Sequence, residues 1–117
     1  MIVLHSKKLI FLKTRKTAGS SFEIALSKYG RPEDIITSVG RTDDELRKKL
    51  GYPGVQNNKM SLIDMFRHPS LRILKNLRRW KWPDKFYNHM TAKRTKQLLG
   101  TEIWNSYTKV AIVRNPY

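Results

Sequence analysis

Apolar residues fall in short unbroken runs near both ends of the chain and in spaced patterns between them. Ile2-Val3-Leu4 reads as a short strand, with Ser6-Lys7 turning the chain, and Leu9-Ile10-Phe11-Leu12 is a continuous apolar run flanked by lysines. A run of that length suits a strand buried on both faces, as in a parallel sheet. Val110-Ala111-Ile112-Val113 is a second buried-strand candidate. Phe22, Ile24, Ala25, Leu26 and Tyr29 have helical spacing, and Gly30 stops that helix. Residues 31–41 hold Pro32 and Gly40 and read as a loop in which Ile35-Ile36 is buried. Thr42-Asp43-Asp44-Glu45 has the form of a capping box, predicting a helix to about Leu50 that ends at Gly51.

Tyr52 to Lys59 carries Pro53, Gly54 and paired Asn, and reads as a loop. Ser61 is placed to cap a short helix through Phe66, and Ser70 another that ends before Pro83. Thr91 caps a helix to Leu99, closed by Gly100, and Thr101 opens a short one carrying Ile103, Trp104 and Tyr107. Strands alternating with helices predict an α/β fold with a parallel sheet. The length, 117 residues, predicts a single domain spanning 1–117.

Composition narrows the chemistry. The chain has no cysteine, which excludes disulfide scaffolds, Cys-ligated zinc, iron–sulfur clusters and cysteine nucleophiles. No apolar run approaches the roughly 20 residues of a spanning helix, and Met1–Leu4 is too short for a signal-peptide core. A soluble, cytoplasmic protein without a membrane span is expected. Lys plus Arg is 24 and Asp plus Glu is 9, a formal charge of +15. That field attracts anions: nucleic acid, anionic lipid, a phosphorylated nucleotide or an acidic polysaccharide.

The densest basic stretch, Arg67–Lys85, contains Arg72, Lys75, Arg78, Arg79 and Lys81 interleaved with Trp80 and Trp82. Such a mixture can bind single-stranded nucleic acid by backbone attraction and stacking, which makes a small basic nucleic-acid-binding protein the alternative function. Leu71, Leu74, Leu77 and Arg78 favour an amphipathic helix instead, with the Trp side chains packed inward and Arg and Lys facing water.

The candidate chemistry lies at Lys16-Thr17-Ala18-Gly19-Ser20-Ser21, between a buried strand and a helix. A loop there aims backbone amides at one spot, and the helix start adds about half a positive charge. Gly19 permits close approach, Ser20 and Ser21 supply hydroxyls, and Lys16 adds a full charge. The bland alternative is a Ser-capped helix start with a basic neighbour. The loop is not a Walker A sequence, which ends in Gly-Lys-Ser/Thr, nor a G-x-G-x-x-G turn.

This loop and the C-terminal Val113-Arg114-Asn115-Pro116-Tyr117 together resemble sulfotransferases that use PAPS, the 3′-phosphate-bearing adenosine phosphosulfate. The first looks like that family's 5′-phosphosulfate loop and the second like its 3′-phosphate strand end. Phe22-Glu23-Ile24-Ala25-Leu26-Ser27, Glu33-Asp34-Ile35-Ile36-Thr37, His89-Met90-Thr91-Ala92, and Leu99-Gly100 followed by Trp104 and Tyr107 resemble strings of a bacterial-type branch. The resemblance implies a P-loop-like three-layer α/β/α fold with a short parallel sheet. It implies that Lys16, Thr17, Ala18, Gly19, Ser20 and Ser21 hold the 5′-phosphosulfate and that Arg114 grips the 3′-phosphate.

Lys16 would stabilise the bridging oxygen as adenosine 3′,5′-bisphosphate leaves, with no metal needed. His89 would take the proton of an acceptor hydroxyl, with a carboxylate such as Glu23 as the other option. The acceptor is expected to be a carbohydrate or small molecule, and the basic charge suits an anionic glycan. In the family the strand-end Arg works with a Ser on the next helix. This chain stops at Tyr117, so the domain is expected to be incomplete at its C-terminus.

Overall fold

In the computed structural model, which describes residues 1–15, 19–67, 71–80 and 82–113, Ile2–Leu4 (β1) and Leu9–Leu12 (β2) are joined by a 3-10 turn at His5–Lys7. A connection this short can only reverse the chain. β1 and β2 therefore pair antiparallel, with Ile2 opposite Phe11 and Val3 opposite Ile10. Ile35–Ile36 (β3) adds antiparallel to the other edge of β1. Thr108–Ala111 (β4) pairs parallel with β2, Leu9 facing Thr108 and Leu12 facing Ala111. The order is β3-β1-β2-β4. The expected parallel sheet is thus a mixed one: the tight hairpin imposes antiparallel pairing on its first half, and only the long return to β4 permits a parallel neighbour.

Alternation along the strands divides the core between the two sheet faces. Ile2, Leu4, Phe11 and Ile36 bury one face against Leu26 of helix α1 (Gly19–Ser27). Met1, Val3, Ile10 and Ile35 bury the other with Phe86 and Met90, and beyond them Leu98, Leu99, Ile103 and Trp104. Those last four belong to α5 (Ala92–Leu99) and α6 (Thr101–Ser106), so helices cover both faces. Helix α2 (Arg41–Lys49) packs beside α1, while α3 (Leu62–Arg67) and α4 (Leu71–Arg78) carry the basic middle of the chain. No helix among the described residues is long and apolar enough to cross a membrane.

Several local expectations hold. α1 ends before Gly30, whose N–H donates to the Ser27 carbonyl. α3 begins directly after Ser61. Thr91 caps α5, its hydroxyl accepting from the Arg94 N–H at 3.3 Å. Ser70, expected to cap α4, lies outside the described residues.

Three expectations are corrected. Thr42 is not the cap of α2: the helix begins one residue earlier, behind Gly40 at φ 145 and ψ 158, a conformation open in practice only to glycine. Asp44 instead reaches back, accepting from the Val39 N–H and the Ser38 hydroxyl. The last strand begins at Thr108 rather than Val110 and is largely exposed, because among the described strands it pairs on one side only. Of the Trp side chains of the basic stretch, Trp80 does not pack inward, being 97% exposed, while Trp82 is about half covered, its Nε1–H donating to the Met60 carbonyl at 2.5 Å.

Candidate functional site

β2 and β4 run parallel and end side by side, so the chain leaves both strands at the same end of the sheet. The exits are tied together: the Thr14 hydroxyl donates to the Ile112 carbonyl at 2.6 Å. From the β2 exit the chain reaches α1, whose first turn contains no acidic residue to offset the positive helix end.

Lys13 reinforces that positive end. Its ammonium donates to Ser20 Oγ at 2.7 Å and lies 3.7 Å from Glu23 Oε2, outside hydrogen-bond range but close enough to pair. Its side chain is only 7% exposed. The stem crosses Gly19 so closely that a Cβ there would meet Lys13 Cγ at 3.0 Å. Glycine at this position therefore serves a close approach of side chain to helix, as well as the turn itself.

A buried polar cluster supports the helix from below. Glu23, fully buried one turn into α1, accepts from the Met1 ammonium at 2.5 Å, and the same ammonium donates to Thr37 Oγ1 at 2.9 Å. Burial holds the Met1 ammonium below its ordinary pKa, and the Glu23 carboxylate offsets part of that. Arg47 of α2, also fully buried, directs Nη1 to the Thr37 carbonyl at 3.5 Å and to Asp44 Oδ1 at 3.4 Å. The cluster locks α1, α2 and the end of β3 to the start of β1, and so fixes the direction in which the first turn of α1 points.

This arrangement can bind an anion. The first-turn amides of α1 have no intrahelical acceptors, Ser20 is half-buried and Ser21 exposed, and Lys13 supplies a positioned charge. Among the described residues the groups facing outward at this helix start are neutral or cationic donors, a set suited to an anion.

Of the residues singled out in the sequence, Gly19, Ser20 and Ser21 meet at the helix start. Lys16, Thr17, Ala18 and Arg114 lie outside the described residues. His89 is exposed on the turn leading into α5, at φ 58, with its backbone N–H on Asn88 Oδ1 at 3.1 Å. Glu23 is not placed to act as a base, because its carboxylate is sealed beneath the helix and engaged by the Met1 ammonium. Lys13 is the residue that sequence reasoning passed over. The signal was available: counting by twos beyond Leu9 and Phe11 puts Lys13 on the face that α1 covers.

No protein-family model, no curated protein and no solved structure matches this chain.

Proposed function

We propose that this chain binds PAPS and transfers its sulfuryl group to a hydroxyl of a carbohydrate or small-molecule acceptor, on a P-loop-like three-layer framework. The observation that carries the reading is the parallel pairing of β2 with β4, stitched beyond the strands by Thr14 and Ile112. One exit leads into the segment that resembles a 5′-phosphosulfate loop, and the other into the segment that resembles a 3′-phosphate strand end. A nucleotide with anions at both ends of its ribose needs two such cationic segments near each other.

In this reading the α1 amides, Ser20 and Ser21 hold the phosphosulfate, with Lys13 fixing Ser20. Arg114 grips the 3′-phosphate with its planar fork of donors. Lys16 neutralises charge building on the bridging oxygen as the bond between sulfur and that oxygen breaks. The acceptor oxygen forms the new bond to sulfur in line, its proton passes to His89, and adenosine 3′,5′-bisphosphate leaves.

Calorimetric titration with adenosine 3′,5′-bisphosphate, with ATP as control, tests the assignment. Preferential binding of the bisphosphate is expected, weakened by about tenfold or more in Lys16→Ala and in Arg114→Ala, since each removes a charged hydrogen-bonding group. Equal binding by both variants and the parent would overturn it.

A further inference from the structure

The middle of the chain has an uncovered face that the donor site does not use. Of the fourteen large apolar side chains exposed among the described residues, eight lie between positions 62 and 82. Phe66 on α3 is 86% exposed and Leu71 on α4 is 85% exposed. α4 turns Ile73 inward and leaves Leu71, Leu74 and Leu77 outside. Along one side of it, Leu71, Leu74, Lys75, Arg78 and Arg79 line an open, shallow groove. The spacing i, i+3, i+4, i+7 places two leucines and two cations on the same helical stripe. Trp80, at the helix end, projects into solvent.

Charge indicates what covers this face. Residues 62–85, which include α3 and α4, carry seven Lys and Arg and two acids, Asp64 and Asp84. Asp84 is already paired with Lys59 at 2.6 Å. A partner must therefore be anionic, and it must also receive aliphatic side chains. Single-stranded nucleic acid meets the first demand and can stack on Phe66 and Trp80, but it offers little to the aliphatic Leu71, Leu74 and Leu77, which have no ring to stack. A bilayer with acidic headgroups meets both. Leucine, phenylalanine and tryptophan enter the headgroup–acyl boundary, while Lys75 and Arg78 extend their charged ends to the phosphates.

We propose that the exposed stripe of α4, with Trp80, forms a docking surface for an anionic membrane, the helix lying flat in the interface. The proposal does not rest on the sulfotransferase reading and concerns a different part of the molecule.

Co-sedimentation with vesicles tests it, comparing phosphatidylcholine alone with phosphatidylcholine–phosphatidylserine. The expected result is binding to the serine-containing vesicles, with a blue shift of tryptophan emission, and little binding to the neutral ones. Lys75→Gln with Arg78→Gln should weaken binding about fivefold per charge removed. Leu71→Asp with Leu74→Asp should abolish it at an unchanged melting temperature, because both leucines are exposed. Equal binding to both vesicles, or full binding by the aspartate pair, overturns the proposal. A lowered melting temperature in that pair would mean the face is packed within the protein. A dimer dissolved by the same pair would assign the face to a second copy. Tighter binding to a single-stranded oligonucleotide than to the vesicles, lost in Trp80→Ala but kept in the aspartate pair, would assign it to nucleic acid. Each of these also overturns the proposal.

Discussion

Lys13 and Lys75 are the same residue type, each associated with a helix in a strongly basic chain, and their surroundings differ in every respect that matters. Lys13 lies across Gly19, with its ammonium held by Ser20 and near Glu23. Lys75 lines an open groove with Leu71, Leu74 and Arg78. At the end of β2, charge is fixed in position by buried partners. On α4 it stands beside aliphatic side chains that the rest of the protein leaves bare. Fixed charge suits a small ligand whose atoms must be placed, because positioned donors need no reorganisation when it arrives. Charge on an exposed apolar stripe suits a broad surface with no fixed pattern. Net charge alone conceals this distinction.

The contrast is broken most forcefully through the core beneath each region. Phe11 is fully buried, touches the Phe22 ring, and supports the face on which α1 lies. Phe11→Ala should cost about 3–5 kcal/mol, the usual penalty for emptying a buried aromatic site. Leu71→Ala, at an equally apolar but exposed position, should stay within about 0.5 kcal/mol. Urea unfolding of the two variants measures both. A large loss at Leu71 would show that α4 is not bare.

A charge-for-charge comparison comes next in size. Glu23→Gln leaves the buried Met1 ammonium without its carboxylate and strips Lys13 of its nearby anion. Removing one partner of a buried pair costs about 3 kcal/mol or more. Arg78→Gln removes a charge from the open groove of α4 and should leave the unfolding midpoint where it was. If both variants unfold like the parent, the cluster under α1 does not organise the site.

How far the residue order predicted this can be judged element by element. β1, β2, α1 and α5 were legible because each is defined locally: an unbroken apolar run, or Thr91 with Gly100 bracketing one helix. Gly19, Ser20 and Ser21 were legible for the same reason, as small residues at a strand-to-helix junction. The mixed sheet was harder, since an apolar run does not tell its neighbour's direction, although the short His5–Lys7 turn already required a hairpin. The α2 cap was misread because Thr42 competes with Gly40 and Asp44, and backbone conformation decided between them. The exposure of Trp80 was not legible at all: an amphipathic pattern shows that a helix has an apolar face and does not show that the protein covers it. The buried Glu23–Met1 pair joins residues far apart in the chain, which no local pattern reveals.

The smallest effect is a dependence on pH, and its sign discriminates. Burial lowers the pKa of the Met1 ammonium from its ordinary value of 8.0, with Lys13 and Arg47 lowering it further and Glu23 opposing them. The folded chain therefore releases this proton at a lower pH than the unfolded chain. Between the two values the unfolded state binds more protons, so stability rises with pH through the window below 8.0 and levels off above it. One proton allows a slope of at most about 1.4 kcal/mol per pH unit. Urea midpoints from about pH 6 to pH 9 measure it, with an N-terminally acetylated chain as the control that has no such proton to lose. The rise should be present in the free chain and missing from the acetylated one. In Glu23→Gln the opposing charge is gone, so the rise should begin at lower pH. Parallel profiles for all three chains would place the Met1 amine in water and detach α1 from the support that holds its first turn in place. No change confined to α4 should move this profile, because none of the groups facing the amine belongs to that helix.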